Sequence, residues 1–463
     1  MPDEARGTEA LELLREFPPV PTSAWEAAIA ADLKGADYEK KLVWRTEEGL
    51  ALRPYYRRED LAALAPERFL GRCQLAKEAR PGPNAIRADL LHEAGAHAVQ
   101  ELGYALAAGV ERLAALAAVE PLEKAAASVE FVFAVGPSFF IEIGKLRAAR
   151  LAWARAVSAF GARTPEALRM HLSARTPRRN KSLLDPSTNL LRVTTEALSA
   201  VIGGCDELTV EPFGFDPHLA DALPRILSEE AHVDAVADPA GGSYFVEALT
   251  DAIARGAWRL LQEVEAAGGY AKAVSSGKVA QALAQSRAAR EKALSARRRL
   301  LVGVNNYPNL EEKELGSAAL PAPPSAFPSS RLAEPFERIR LRTLAHARAT
   351  GKAPKVLLLR RGDARMSGAR ATFCLNFFGC AGFDISEDTE LSDDPDLVVL
   401  CSSDPEYRAF AAEICPKAKV PVLVAGHPKE ELEALTATGV RGFVHLQSDA
   451  VETLTEWQDR LGL

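Results

Sequence analysis

The sequence lacks the features that mark a secreted or membrane-spanning protein. Its six cysteines contain no C-x-x-C pair, and none has a histidine neighbour at the spacing of a zinc site. No run of about 18 apolar residues exists that would cross a bilayer as a helix. The opening residues, MPDEARGTEALELLREF, are acidic and have no apolar core of signal-peptide length. We therefore expect reduced, mostly buried thiols, no bound metal and a cytoplasmic location.

An excess of positive charge is also missing. The 463 residues carry a formal net charge of −7, which argues against a general nucleic-acid binder or a protein of anionic membranes. One basic cluster, RTPRRNK from Arg175 to Lys181, could meet an anion, although a solvated loop is the favoured interpretation. With 48% hydrophobic and 26% charged residues, the chain has the composition of a globular protein of two or three domains.

Composition divides the chain into four predicted parts. A mixed, Pro-containing arm comes first, followed by an Ala- and Leu-rich region and then by a stretch dense in Pro and Ser through which no helix is expected to persist. The last part alternates apolar strands with helices, which predicts a parallel sheet covered on both faces in a flavodoxin-like domain. The predicted boundaries are 1–69 for the arm, 70–302 for the second part, 303–353 for the linker and 354–463 for the last domain.

The second part also alternates strands and helices. Its predicted strands are AIRADLL at Ala85, VEFVFAV at Val129, LRMHL at Leu168 and DELTVEP at Asp206. These units occupy about 185 residues, whereas a complete eightfold barrel takes about 250. The predicted fold class is therefore α/β, with an incomplete or degenerate (β/α) TIM-type barrel followed by the flavodoxin-like sheet.

Three local patterns suggest sites, but each has a simpler structural interpretation. LHEAGAH contains His92 and His97 five residues apart, whereas a zinc protease helix needs a spacing of four. His171 could point into a barrel mouth, although a structural histidine is favoured. The DPAGG turn from Asp238 to Gly242 lacks the Lys-Ser/Thr of a phosphate loop, so a turn entering the next helix is favoured.

Four longer stretches resemble the methylmalonyl-CoA mutase family. They are LHEAGAHAVQELGYALAAGVERL, FFIEIGKLRAARLAWARAV, NLLRVTTEALSAVIGG and DPAGGSYFVEALTDAIARGAW, and the resemblance covers nearly the whole chain in order. It implies a barrel that binds acyl-CoA, joined to a flavodoxin-like domain that binds adenosylcobalamin and supports the isomerisation of methylmalonyl-CoA and succinyl-CoA. The arm stretch VWRTEEGLALRPYY is similar to the family's N-terminal segment, which wraps a partner subunit.

The family's cobalt-ligand motif is altered in this chain. The resemblance places Asp-x-His-x-x-Gly on Asp363 to Gly368, where Asp363 and Gly368 are retained but the histidine is Arg365. A guanidinium stays protonated and offers no lone pair, so Arg365 cannot ligate cobalt. The small residues that make room for the cofactor's nucleotide tail are also changed, at Ser402 to Asp404 and at Gly426-His427.

The barrel departs from the family pattern as well. Catalytic members carry an active-site histidine three residues before Glu-Ala-Gly-Ala, and the residue at that position is Leu90. His92 lies two positions away and would substitute for it only in part. The family's early barrel stretch has no counterpart between Tyr56 and Leu90, so the front of the barrel is predicted to be shortened.

These departures resemble the small subunit of heterodimeric family members. The resemblance implies a chain without catalytic, cofactor-binding or metal residues, inactive alone, that stabilises a catalytic large subunit holding the adenosylcobalamin. No nucleic acid or membrane is expected as a partner. Two alternatives stay open: a self-sufficient acyl-CoA mutase variant that binds cobalamin without the usual histidine, and a regulatory or interaction module derived from the family.

Overall fold

A computed structural model of the chain describes residues 19–62, 64, 82, 84–312, 325–391 and 394–463. Contacts divide the chain into two units, Met1–Arg57 and Arg58–Leu463. The predicted four-part boundaries remain predictions. Cys73 and part of the Pro-rich stretch, residues 313–324, lie outside the described residues.

The first unit has few elements and little core. They are α1 (Thr22–Asp32), α2 (Tyr38–Lys41), β1 (Trp44–Arg45) and β2 (Ala51–Leu52). The Asp37 side chain accepts a hydrogen bond from the Lys40 amide and so caps α2. Strands β1 and β2 pair as an antiparallel hairpin, and α1 has no buried residue. These two helices and the hairpin lie in the part of the chain that is predicted to be an arm.

The second unit contains two parallel sheets. The first has the order β3-β4-β5-β6, and the second has the order β11-β10-β9-β7-β8. Read from β8, the second order is 2-1-3-4-5, that of doubly wound sheets of the flavodoxin type. The strands are β3 (Ala85–Arg87), β4 (Glu130–Ala134), β5 (His171–Arg175), β6 (Glu207–Thr209), β7 (Lys355–Arg360), β8 (Asp384–Asp388), β9 (Leu397–Cys401), β10 (Val422–Ala425) and β11 (Val440–Val444).

Helices connect the strands in both sheets, and none in the described part of the chain is long and apolar enough to cross a membrane. They are α3 (Arg58–Ala62), α4 (Asp89–Glu93), α5 (Ala98–Ala117), α6 (Leu122–Ser128), α7 (Phe139–Phe160), α8 (Pro165–Leu168), α9 (Thr188–Ile202), α10 (Pro217–Arg225), α11 (Tyr244–Ala266), α12 (Tyr270–Ser275), α13 (Lys278–Ser295), α14 (Glu334–Thr350), α15 (Ala364–Gly379), α16 (Tyr407–Ile414), α17 (Leu432–Thr438) and α18 (Ala450–Arg460).

The first sheet is apolar on one face and polar on the other. Phe131 and Phe133 stack on the same face of β4, and Phe131 meets Trp153 of α7 edge-on. Because side chains alternate along a strand, the parallel register puts Ser173 and Glu207 together on the opposite face, where the Ser173 hydroxyl donates to Glu207 at 2.8 Å. Four strands in chain order agree with the predicted βα repetition, and the predicted degenerate barrel remains a prediction.

Two predicted strands have different bounds in the structure. The strand predicted as AIRADLL ends at Arg87, and its last residues belong to α4. The strand predicted as LRMHL begins only at His171, because Thr164 caps the short helix α8 that ends at Leu168. In both places a short helix takes residues whose apolar character favoured a strand.

The second sheet is apolar on both faces. Leu358 and Val399 pack in a core with Phe377, while Leu357 and Val398 pack on the other side with Phe410. This two-sided burial explains why β7, β9 and β10 read as continuous apolar runs, whereas the edge strand β8 is mostly exposed. Helix α14 lies within 303–353, the part predicted as a linker, and its side chain Phe336 is fully buried in the same core.

Candidate functional sites at the carboxyl ends of the strands

The loop after β7 holds the altered motif. The Asp363 side chain accepts a hydrogen bond from the Met366 amide at 2.7 Å, and α15 begins at Ala364. This cap places the start of α15 inside the motif, three residues before Ser367. Arg365 is exposed in the first turn. Asp363, the retained member of the motif, thus serves here as a helix cap.

Arg370 of α15 fills the crevice between β7, β9 and β10. Its Nη1 donates to the Tyr407 hydroxyl at 2.8 Å and to the carbonyl oxygen of Ala425, and its Nη2 donates to Asp404 at 2.5 Å. A Cβ added to Gly426 would lie 2.0 Å from Nη1. The guanidinium therefore occupies the space that the small residue at 426 leaves open.

Glu406 closes the same crevice from the β9 side. Its carboxylate accepts hydrogen bonds from the Ser402 hydroxyl at 2.7 Å, the Ser403 hydroxyl at 2.5 Å and the Ser403 amide at 3.1 Å. These hydrogen bonds lower the pKa of Glu406 to about 2. A Cβ on Gly362 would lie 2.2 Å from this carboxylate, so Glu406 also covers the start of the motif loop.

A second cavity, of about 420 Å³, lies at the carboxyl ends of β7 and β8. Arg360 and Arg361 line it, but each already has a carboxylate partner. Arg360 pairs with Glu387 at 3.2 Å, and Arg361 pairs with Glu413 at 2.5 Å. Both guanidinium groups that line the cavity are therefore already neutralised, and neither is left free to bind an anion.

The carboxyl end of the first sheet holds a buried ion cluster of His92, Glu101, Glu142 and Lys145. The Lys145 ammonium, with no exposed surface, lies 2.7 Å from Glu101, 2.5 Å from Glu142 and 2.6 Å from the carbonyl oxygen of Ala134. The ammonium donates hydrogen bonds to Glu101 and to the Ala134 carbonyl oxygen, and it forms an ion pair with Glu142. Burial opposes the charged forms, but the two carboxylates still raise the pKa of Lys145.

His92 belongs to this cluster rather than to an open site. Its Nδ1 lies 3.2 Å from Glu101 Oε2, and only 9% of its side chain is exposed. Burial, with Lys145 next in effect, holds the pKa of His92 well below its usual value. A neutral, enclosed imidazole fits a structural role. It fits less well the role considered from the sequence, in which His92 would partly replace the family's active-site histidine.

A second buried pair lies after β5. Lys181 Nζ contacts the two oxygens of Glu196 at 2.8 and 2.7 Å, and Asn180 donates to the same carboxylate at 2.6 Å. The predicted solvated loop from Arg175 to Lys181 is wrong in this respect. Arg179 and Lys181 are 2% and 1% exposed, respectively.

The remaining sequence candidates take structural positions. Leu90 lies on α4 and lines a cavity of about 400 Å³ beside β3. His97 caps α5. His171 begins β5 and so lies at the amino end of the sheet. It therefore does not point into a barrel mouth at the carboxyl end. Asp238 accepts two hydrogen bonds from Arg147 at 2.9 and 2.8 Å just before α11, which supports the turn interpretation.

Glu101, Lys145, Glu196 and Arg370 were not expected from the sequence. Each is a charged residue on a helix among apolar neighbours, and that pattern is the one signal that could have found them. Within the described residues, no group of three or more His, Cys, Asp or Glu side chains is placed to hold a metal ion.

Comparison with known proteins places this arrangement in a family. The family model described as methylmalonyl-CoA mutase matches residues 74–341. A protein named methylmalonyl-CoA mutase small subunit, from Porphyromonas gingivalis (strain ATCC BAA-308 / W83), is 31% identical over 98% of this chain and 99% of its own length. The chain belongs to the methylmalonyl-CoA mutase family.

Small subunits and other members of this family match different shares of the chain. A methylmalonyl-CoA mutase small subunit from Streptomyces virginiae is 36% identical over 99% of this chain and 75% of its own length. A protein named methylmalonyl-CoA mutase, from Cereibacter sphaeroides, is 41% identical but matches only 47% of this chain and 32% of its own length. The similarity to small subunits therefore extends along the whole chain.

The alignment with the Porphyromonas gingivalis relative extends over 622 positions, whereas this chain has 463 residues. That relative therefore carries stretches that this mutase-family chain lacks. The predicted place of the deletion, between Tyr56 and Leu90, remains a prediction.

The described residues do not fit the cobalamin that the family implies. Arg365 has no lone pair for cobalt. The crevice between β7 and β9, where ligands of doubly wound sheets bind, is occupied by Arg370 and Glu406. Arg370 would have to give up three hydrogen bonds to admit a nucleotide tail beside Gly426.

Proposed function

We propose that this chain is the non-catalytic small subunit of an adenosylcobalamin-dependent methylmalonyl-CoA mutase. The observation that carries the proposal is the end-to-end similarity to small subunits, joined to a motif in which Arg365 stands where a histidine would ligate cobalt. In this role the chain stabilises a catalytic large subunit, which holds the cofactor and isomerises methylmalonyl-CoA and succinyl-CoA.

The proposal assigns a role to each part of the chain. The arm up to residue 69 contacts the large subunit, and the four-stranded sheet is what remains of a (β/α) barrel. The five-stranded sheet is a cobalamin-type domain whose ligand crevice is closed. The complex works in the cytoplasm as a heterodimer. The closed crevice and the enclosed His92 support this division of labour, because neither leaves a group open to a substrate.

Co-expression with the catalytic large chain tests the proposal. We expect the two chains to elute together at micromolar concentration, and the mutase activity of the large chain to survive heating better in the complex. Separate elution, with no effect of this chain on activity or stability, would overturn the proposal.

Arg365→Gln in the complex separates support from catalysis. Because Arg365 is exposed and ligates nothing, we expect kcat and the cobalamin absorbance of the complex to be unchanged. The purified chain alone, mixed with adenosylcobalamin and desalted, should be colourless. Retained cofactor absorbance in the single chain would instead favour a self-sufficient mutase variant, and co-elution without any effect on activity would favour an interaction module.

A further inference from the structure

Arg179, in the stretch after β5, has a guanidinium that is buried and only partly bonded. It is 2% exposed. Its Nη1 donates to the carbonyl oxygen of Ser330 at 2.9 Å and to that of Glu93 at 3.5 Å. Its Nε and Nη2 are buried and have no acceptor anywhere in the described residues.

The other deeply buried cations near the first sheet all have a carboxylate partner. Arg147 pairs with Asp238 and Glu247, Arg150 with Asp206, Lys145 with Glu101 and Lys181 with Glu196. Arg179 has none within 4 Å among the residues that the structure describes. A buried charge without a partner destabilises the folded state by several kcal/mol, so a ligand that neutralises Arg179 would relieve a real cost.

The charge on Arg179 persists at neutral pH. Burial lowers its pKa to about 10, and Arg290 and Arg287 contribute to the lowering, while Glu291 and Glu93 oppose it. At that value the guanidinium remains protonated. Arg179 therefore places an unneutralised positive charge at the carboxyl end of the sheet. This is the side on which α/β proteins bind their ligands.

The two vacant donors have a defined shape. Nε and Nη2 lie along one edge of the planar guanidinium, and that edge is the fork which binds the two oxygens of a carboxylate or phosphate in parallel. Nη1, on the opposite side, is the nitrogen that the protein itself uses. An oxyanion on the open edge would satisfy both donors and the charge at once.

We propose that the Nε–Nη2 edge of Arg179 is a binding site for a small oxyanion, a carboxylate or a phosphate group. Because both nitrogens are covered, the ligand enters when the stretch 325–331 shifts. This stretch has no helix or strand. Its last residue, Arg331, is anchored by Glu337, and the part before it is held by three other side chains. Arg179 and Glu291 hold Ser330, and Arg287 holds the Pro328 carbonyl oxygen at 2.9 Å. The site is independent of the proposed subunit role.

Thermal unfolding of the full chain tests the site, with inorganic phosphate and succinate as separate probes and sodium chloride at equal ionic strength as the reference. We expect at least one probe to raise the unfolding midpoint of the wild type by a few degrees in a saturable way. Arg179→Met should abolish this rise. In chloride alone the same variant should unfold at a higher temperature than the wild type, because it removes a buried unpaired charge.

Two further variants make the result decisive. Arg255→Met removes an exposed arginine that pairs with Asp251, and it should respond to the probes as the wild type does. Arg179→Lys keeps the charge but not the fork, and calorimetric titration with the effective probe should show at least about tenfold weaker binding. A wild type that responds to neither probe beyond chloride, or equal responses in the wild type and Arg179→Lys, would overturn the proposal.

The two probes distinguish the source of the ligand. A response to phosphate alone assigns the site to a phosphate group, and a response to succinate alone assigns it to a carboxylate. Responses to both indicate a general oxyanion site. Each of these results supports the proposal.

Discussion

The carboxyl ends of the two sheets are both filled by charged side chains, but in different environments. In the first sheet, Lys145 and Glu101 have no exposed surface and neutralise each other in the interior. In the second, Arg370 and Asp404 are 17% and 53% exposed, and water screens part of their interaction. The buried charges of the first sheet therefore depend on one another for neutralisation. The charges that close the ligand crevice of the second sheet are partly exposed to water, so their desolvation costs less free energy.

The largest expected effect is from Lys145→Met in the first sheet. It leaves Glu101 and Glu142 buried beside each other without a cation, which should lower the free energy of unfolding by about 3–5 kcal/mol. Urea denaturation measures it. Lys417→Met, which removes an exposed partner of Glu413, should cost less than about 1 kcal/mol. Equal losses for the two variants would erase the contrast between buried and screened charges.

A smaller effect is expected from Arg370→Ala in the second sheet. The variant loses hydrogen bonds to Tyr407, Asp404 and Ala425, and about 1–3 kcal/mol is the usual cost for bonds of a charged donor. Arg408→Ala is the matched control, because its contact with Glu431 is 4.0 Å long and 71% of the arginine side chain is exposed. A loss as large as that of Lys145→Met would show that the second crevice is not screened.

His92 should give the first sheet a pH dependence near neutrality. Its pKa is lowered well below 6.5 in the folded state, so the unfolded chain takes up the proton first, and stability falls as pH drops below about 6.5. One such proton changes the free energy of unfolding by at most about 1.4 kcal/mol per pH unit. His92→Gln should flatten this slope between about pH 6.5 and 5. An unchanged slope would mean that His92 is protonated in the folded protein. Glu101, whose pKa burial raises, acts with the opposite sign at lower pH.

The smallest effect belongs to Glu406 in the second sheet. Because its folded pKa is lowered to about 2, its contribution is present above the unfolded value near 4.5 and is lost as pH falls towards 2. Ser403→Ala removes the first cause of that shift, so carbon-detected NMR titration should find the pKa of Glu406 closer to 4.5. A Glu406 pKa that does not move would mean that the remaining donors, the Ser402 hydroxyl and the backbone amides of Ser403 and Asp363, set it.

The strands of the second sheet could be predicted from the sequence better than those of the first. Strands β7, β9 and β10 of the second sheet are buried on both faces, so their apolar runs were visible in the sequence, whereas the edge strand β8 is mostly exposed. In the first sheet, β3 and β6 have three residues each and alternate polar with apolar side chains, which left their ends uncertain. The sequence assigned Asp363 to the family motif, whereas in the structure it caps α15.

The loss of the cobalt ligand could be predicted from one residue, Arg365, because it depends on chemistry alone. The filled crevice could not, since Arg370 is 34 residues from Asp404 and 37 residues from Tyr407 in sequence, and only the fold of the sheet brings them together. The open fork of Arg179 was equally hidden. Its sequence neighbourhood suggested a basic loop in solvent, and only burial shows that two of its donors have no partner.

The all-parallel pairing has a consequence for how the second unit folds. Every neighbouring pair of strands, such as Ala85 with Glu130 or Val356 with Leu397, joins residues separated by a whole helical crossover. The entropy of closing loops on the order of 40 residues is lost before any strand pair forms, so such sheets are slow to assemble. We expect the second unit to refold slowly and to expose unpaired strand edges on the way. A partner bound early would then raise the yield of folded chain, whatever it adds to the finished complex.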